Sequence, residues 1–284
     1  MNKFDQFEAC VYDLNPDIIG ITESWADSHV LDSELPIDGY DLFRQDRLVE
    51  REGGGVLLYV KSSLCAVQYS MSSRFPEQVW CYILDSSAQR FYIGVCYRTP
   101  TVDIYGSGNH ELLQDVMKEL GVSNKHFMLM GDCNYRYLCW PPVTDDQYLS
   151  GDAAQFYYCI EDNFFTQHVD VCTGKDAILD LVITDEPSMV HTMTDLGPFI
   201  GSDHNALYWK LEVRTNVDLK YKQVLDYSKA DITGMRREMS AIDWRALFTD
   251  LNAQDCWCVF KDKLHFFDKE IYSTQISLQY KKET

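Results

Sequence analysis

Four short polar groups stand where apolar runs of the chain end or begin. Glu23 follows "IIGIT", Tyr97 and Arg98 follow "FYIGVC", Asp132 and Asn134 follow "FMLMG", and Ser202, Asp203 and His204 lead into a run that alternates toward Leu211 and Val213. Ligand sites of α/β proteins gather at the C-terminal ends of strands, so the placement matters as much as the residue types. Carboxylates, a phenol, an amide and an imidazole are the parts of general acid–base chemistry, and carboxylate oxygens also suit a hard divalent cation. Each group has a plain reading as well. Glu23 fits a helix cap or a surface acid, Tyr97 a strand-end aromatic, Asp132 and Asn134 a turn pair, and Ser202-Asp203-His204 a polar turn into a strand.

The elements that must position these groups can be traced from periodicity. Phe4, Phe7, Val11 and Leu14 share one helical face, Pro16 stops that helix, and Ile18, Ile19 and Ile21 form a short buried strand. "GGGVLLYV", "QVWCYILD" and "RFYIGVCYR" read as successive strands, the first punctuated by Gly53 to Gly55. "NHELLQDVMKELG" predicts an amphipathic helix capped by Asn109 and stopped at Gly121, delivering the chain into the apolar strand "HFMLMGDCN". A helix over "DAAQFYYCIEDN", the strand "ILDLVITD" and the strand after His204 complete the body. Strands that are partly consecutive and partly separated by helices predict an α/β sandwich of two mixed sheets flanked by helices.

Composition narrows the class. The 284 residues are 46% hydrophobic, enough for one large folded body, and no apolar run approaches the length of a membrane span. The first residues lack the pattern of a signal peptide, which points to an intracellular protein. Ten cysteines are scattered, with no CxxC pair and no HExxH, so reduced, mostly buried thiols are expected and a zinc site is not. A net charge of −19 excludes a broad electrostatic grip on nucleic acid, which would have to come from a local basic patch or a partner. From about residue 216 the chain turns polar and then helical. Met235, Met239 and Ile242 share a face, and Trp257, Phe260, Leu264, Phe267 and Ile271 form a second stripe. This predicts a body over 1–215 and a helical appendage over 216–284.

The order Glu, Tyr, Asp-x-Asn, Asp, Ser-Asp-His resembles that of the endonuclease/exonuclease/phosphatase family, with "GDCN" at the Gly-Asp-x-Asn motif and "GSDH" at the closing signature. "PDIIGITESW", "EREGGGVLLYV", "IGVCYRTP", "ILDLVITDEP" and "GSDHNALYWKL" resemble in order the blocks of the endonuclease domain of non-LTR (LINE-like) retrotransposons, and "YSKADITGMRREMSAIDW" resembles the segment leading to their reverse transcriptase. The resemblance implies a Mg²⁺- or Mn²⁺-dependent endonuclease that nicks DNA to expose a 3′-hydroxyl for reverse transcription, working in the nucleus when its target is chromosomal. It implies Glu23 as the main metal ligand with Asp203 assisting, and Asp132 orienting or deprotonating the attacking water beside Asn134. It pairs His204 with Asp180 as a donor to the phosphate and gives Tyr97 a stabilising role. Arg98 and Ser202 are then substrate contacts. In the parent element a reverse transcriptase sits on the same polypeptide.

Departures from the family pattern set a second expectation. The family opens with a strand that carries an active-site Asn, whereas this chain opens at the following helix, so the first strand is expected to be missing. "GDCNYRYLCWPP" lacks the Phe usual after Gly-Asp, and "VCTGKD" departs from the usual Pro-Thr-Arg block. The alternative to an active endonuclease is therefore a catalytically impaired retrotransposon remnant that at most binds nucleic acid or protein. An inositol-phosphate or sphingomyelin phosphodiesterase is the more distant enzyme reading.

Overall fold

The computed structural model describes residues 3–47, 53–99, 109–123, 125–136, 138, 140, 151–174 and 176–213, and further on 232–249, 251–253, 255–257, 259–261 and 263. The chain divides into two compact units, Met1–Leu219 and Lys220–Thr284.

In the first unit, helix α1 (Phe4–Leu14) ends as its sequence suggests. Asn15 adopts a left-handed conformation, its amide returns to the Val11 carbonyl, and Pro16 follows. Strand β1 (Ile18–Thr22) pairs antiparallel with β3 (Val56–Lys61), which pairs antiparallel with β2 (Tyr40–Gln45). A second sheet runs in the order β4 (Val67–Tyr69), β5 (Gln78–Leu84), β6 (Arg90–Tyr97), β7 (His126–Asp132), β9 (Asp180–Thr184) and β8 (Thr166–Gln167). Its one parallel pairing, β6 with β7, is bridged by helix α2 (Asn109–Val122), as a parallel pair requires a long crossover. Helix α3 (Gly151–Asp162) lies between β7 and β8 in sequence, and β10 (Val190–Pro198) forms an antiparallel ribbon with β11 (Asn205–Leu211).

The alternation of β3 shows how the layers stack. Val56, Leu58 and Val60 join the cluster that contains Ile93, Val95, Met128, Met130 and Val182 from the six-stranded sheet, while Leu57 and Tyr59 face Phe7 and Val11 of α1. Side chains of period two thus serve two cores. On the far side of the six-stranded sheet, Leu113, Met117 and Leu120 of α2 and Phe156 and Ile160 of α3 pack on Phe127, Leu129 and Ile183. The result is a four-layer α/β/β/α arrangement, an α/β fold with sheets flanked by helices. Gly20 lets the sheets approach: a Cβ there would lie 2.8 Å from the Met130 sulfur.

Two details differ from the sequence expectation. The layer of β1, β2 and β3 does not hydrogen-bond to the β10–β11 ribbon, so the described strands form three sheets, and only the six-stranded one is mixed. Leu207, Trp209 and Leu211 still pack on the same central cluster, so burial rather than backbone pairing holds the ribbon in the sandwich. In α2, Gly121 is inside the helix rather than past its end, and Asn109 is its first described helical residue rather than a flanking cap. Gly121 leaves room for the Asn163 side chain, whose Oδ1 would lie 1.9 Å from a Cβ there. No disulfide joins the described cysteines, and Cys81, Cys96, Cys133 and Cys159 are buried. No helix among the described residues is long and apolar enough to cross a membrane.

The second unit contains α4 (Ile232–Ala241) and α5 (Trp244–Leu247), with Asp243 capping α5 by accepting from the Ala246 amide. Trp244, Phe248, Trp257 and Phe260 form a chain of ring contacts. Of the stripe anticipated there, Leu264, Phe267 and Ile271 lie outside the described residues, as do the side chain of Met235 and residues 214–231.

Candidate active site

Strand register assembles the site. Tyr97 ends β6 opposite Asp132, which ends β7, and Asp132 lies opposite Asp180, which begins β9. Partners directly opposite in a ladder project to the same face, so a phenol and two carboxylates stand in one row at strand spacings of about 4.8 Å. Glu23 meets one end of this row, where the Tyr97 hydroxyl donates to Glu23 Oε1. His204 meets the other end, its Nδ1 2.8 Å from Asp180 Oδ2 and its Nε2 4.0 Å from Asp132 Oδ2.

Turn chemistry fixes the individual groups. Glu23 follows β1 with φ 51° and Asn134 follows β7 with φ 53°, both left-handed. Asn tolerates that conformation; Glu adopts it at a cost of order 1 kcal/mol, so the surroundings must impose it. Asp132 Oδ1 accepts the Asn134 amide at 2.9 Å and its Oδ2 accepts Asn134 Nδ2 at 3.0 Å, while Nδ2 also reaches the Arg98 carbonyl at 2.9 Å. The "VCTGKD" segment supports the opposite flank. Thr173 Oγ1 accepts the amides of Leu179 and Asp180, the Thr173 carbonyl accepts the Asn205 amide, and Gly174 bridges to His204.

Arg98 and Ser202 have structural contacts. Arg98 is 7% exposed, with Nη1 donating to the Cys133 and Asn134 carbonyls and its guanidinium 4.1 Å above the Tyr135 ring. These contacts prop the Asp132–Asn134 turn from behind. Ser202 is exposed, and its Oγ accepts the His204 amide at 3.1 Å, closing the turn. Asp203 is also exposed, and its charge helps hold the proton on His204.

Electrostatics divides the row. The hydrogen bond to Asp180, opposed by burial and reinforced by the charges of Asp180, Asp132 and Asp203, raises His204 to about 9. It is an imidazolium at neutral pH, one N–H held by Asp180 and the other directed to the Asp132 side. Burial first, then the neighbouring Asp180, pushes Asp132 up to about 7, with Glu23 adding and His204 and the Asn134 amide opposing. Burial and the bond to Glu23 drive the Tyr97 phenol upward, so it stays a donor. Separated pKa values within one row of side chains are the mark of an acid–base site.

Glu23, Asp132 and Asp180 stand along the row, and Asp203 adds a fourth carboxylate at its His204 end. Their mutual repulsion, visible in Asp132, and an all-oxygen donor set fit a hard divalent cation that keeps most of its waters. These carboxylates do not converge as closely as His126, Asp185 and Glu186, the group among the described residues whose donor atoms lie within 4.8 Å of one another. It sits at the other end of β7, about 20 Å from Asp132 by strand rise. There Asp185 already accepts from the Phe127 amide and pairs with His126 at 2.8 Å, which clamps β7 to β9.

Sequence reasoning missed two residues of the site's frame. Buried Glu77 and half-buried Arg47 form an ion pair, with Arg47 Nε 2.9 Å and Nη2 3.0 Å from the Glu77 carboxylate. Arg47 lies over the Tyr97 ring at 5.7 Å. A Glu two residues ahead of an apolar strand core was the available signal, and its tie to the triple glycine appears only in the fold.

A sandwich of sheets with carboxylates and a His–Asp pair at one end of its strands is the frame of an acid–base site, and the comparisons give its family. The model of the Endonuclease/Exonuclease/phosphatase family matches residues 2–204, and the chain belongs to that family. Among solved structures it is similar to AP endonuclease LMAP of Leishmania major (TM-score 0.56, 15% identity, covering 72% of this chain and 81% of that one). It is also similar to the APE2 catalytic domain of Xenopus laevis (TM-score 0.55, 16% identity, 74% and 88%). An endonuclease/exonuclease/phosphatase family protein of Leptotrichia buccalis gives a TM-score of 0.50 at 14% identity, with 75% and 93% covered. At these identities the likeness is one of fold. No curated protein sequence matches the chain.

Proposed function

We propose that the chain is a divalent-metal-dependent phosphodiesterase that nicks DNA, and that it derives from the endonuclease of a non-LTR retrotransposon. The observation that carries the chemistry is the row Tyr97, Asp132, Asp180, bracketed by Glu23 and by His204. The retrotransposon origin is supported by the ordered sequence blocks, and DNA as substrate by the AP endonucleases among the structural relatives.

A cation such as Mg²⁺, held by Glu23 with Asp203 assisting, would supply charge neutralisation at the phosphate. The chain's own residues do the rest. Asp132, poised near neutrality, accepts a proton from the attacking water, and Asn134 fixes the orientation of that carboxylate through two hydrogen bonds. His204 presents its Nε2–H to a phosphate oxygen as negative charge develops, while Asp180 fixes its tautomer and stabilises its cationic form. Tyr97 holds Glu23 in place.

Plasmid nicking by the purified chain, with and without Mg²⁺, tests the reading. Asp132→Ala and His204→Ala should each lower the rate by about 10² to 10⁴. A second reading, the impaired remnant, is favoured by one observation: β1, which carries Glu23 at its end, is an edge strand among the described residues. Metal-dependent nicking that Asp132→Ala abolishes rejects the remnant; a well-folded chain that nicks nothing rejects the enzyme.

A further inference from the structure

The backbone around Glu23 is held by a device outside the row. Gly53, Gly54 and Gly55 all have positive φ, and the carbonyls of Gly55 and Gly54 accept the amides of Ser24 at 3.2 Å and Trp25 at 3.0 Å. That bridge imposes the left-handed turn at Glu23. The glycine segment is in turn tied to Glu77. Its Oε1 accepts the Gly55 amide at 2.8 Å together with Arg47 Nε, its Oε2 accepts Arg47 Nη2, and its own carbonyl accepts the Tyr97 amide at 2.9 Å. Arg47 leans on the ring of Tyr97, whose hydroxyl holds the Glu23 carboxylate. The packing leaves no slack: a Cβ on Gly54 would lie 2.3 Å from both Arg47 Cζ and Glu77 Oε1, and one on Gly55 would lie 2.7 Å from Ser24 Oγ.

Glu77 therefore reaches Glu23 by two independent routes, through the 54–55 backbone to Ser24 and Trp25, and through Tyr97 to the carboxylate. Stability alone does not account for a carboxylate that is 3% exposed. A buried ion pair recovers its desolvation cost only in part and is often replaced by apolar residues without loss. Groups that orient a ligand-bearing side chain are instead sensitive to such replacement.

We propose that Glu77, with Arg47 as its counter-ion, is the positioning residue for Glu23. It sets the turn conformation and the carboxylate orientation with which Glu23 meets a divalent cation and the phosphate it neutralises. The metal part of this statement rests on the function proposed above; the positional part does not.

The test uses the full chain and two variants, Glu77→Gln, which keeps the shape and the Gly55 acceptor but loses the charge, and Glu77→Ala. Amide hydrogen exchange is followed without metal. The amides of Ser24 and Trp25 should exchange at least about tenfold faster in Glu77→Ala and by a smaller factor in Glu77→Gln, while those of Val116, Met117 and Leu120 in α2 keep their protection. Mn²⁺ binding is then measured by electron paramagnetic resonance. Glu77→Gln should weaken it by about 10- to 100-fold in the wild-type background and leave it unchanged in a Glu23→Gln background, which also subtracts any ion held at His126 and Asp185. Unchanged exchange at Ser24 and Trp25 in the folded variants overturns the proposal, and so does acceleration spread evenly over α2 and the sheets, which is the signature of a purely structural pair. If Glu23→Gln itself leaves Mn²⁺ binding intact, the metal reading of Glu23 falls, and the exchange data alone decide the positional role. Should Glu77→Ala not fold, Glu77→Gln carries both measurements.

Discussion

Neutralising Asp180 is the most direct probe of the acid–base row. In Asp180→Asn the 2.8 Å partner of His204 Nδ1 keeps its shape and loses its charge. The rise of His204 from 6.5 to about 9 corresponds to at most about 3 kcal/mol at 1.36 kcal/mol per unit, reduced by solvent screening because the ring is only half-buried. The hydrogen bond to Asp180 is its first cause, burial opposes it, and Asp132 and Asp203 add to it. Removing the Asp180 charge should therefore bring His204 down by about two units, to near 7. The assay is a heteronuclear NMR titration of the histidine rings, His204 being assigned by its absence in His204→Gln. Stability should follow. A folded pKa above the unfolded one stabilises fully below about 6.5, and the contribution is lost as pH rises through 9. The wild type should thus lose up to about 3 kcal/mol between pH 6.5 and 9.5 that Asp180→Asn never had. Asp132, pushed up by the same neighbour, should fall in the variant. A wild-type His204 titrating near 6.5, or a variant still titrating near 9, refutes the electrostatic account of the row.

Other consequences can be checked with simpler measurements. With Asp132 near 7 and His204 near 9, kcat/KM for nicking should rise to about pH 7 and fall beyond about pH 9, and higher Mg²⁺ should move the lower limb downward because a nearby cation favours the carboxylate; a rate flat from pH 5 to 10 contradicts both roles. Gly131→Ala places a Cβ 1.9 Å from the Cys96 carbonyl at φ 140° in the residue before Asp132, so urea denaturation should show a loss of about 3 kcal/mol or more, and an unaffected midpoint would disprove the close approach. A chain ending near residue 215 should melt cooperatively near the temperature of the full chain, as two separate units imply; an unfolded product would put the aromatic cluster of Trp244 and Trp257 in the body's core.

Much of this molecule is legible in the sequence, for identifiable reasons. β3, β6 and β7 are apolar on both faces, and their strength of pattern survives without any neighbour. β10 is not legible, because "VHTMTDLGP" is mostly exposed and pairs only with β11 across two register shifts. β2 and β4 are short or half-buried and carry no strict alternation. Asp132, Asn134 and His204 could be singled out because they terminate readable strands or motifs. Asp180 was found only through family likeness, since alone it reads as a strand acid. Glu77 and Arg47 escaped because their significance lies in a contact across 30 positions, and the inward turn of the Arg98 guanidinium is not legible because it depends on Tyr135.

The bracketing of one row by Glu23 and His204 also has a consequence in time. A ribosome adds about 5 to 20 residues per second, so the two residues leave it roughly 10 to 35 seconds apart. During that interval β1, β6 and β7 can already exist, yet Asp132 has neither Asp180 beside it nor an imidazolium to offset its charge. A nascent chain thus holds Glu23 and Asp132 without the imidazolium, and the last turn to emerge from the body, Ser202 to His204, is the one that completes the row.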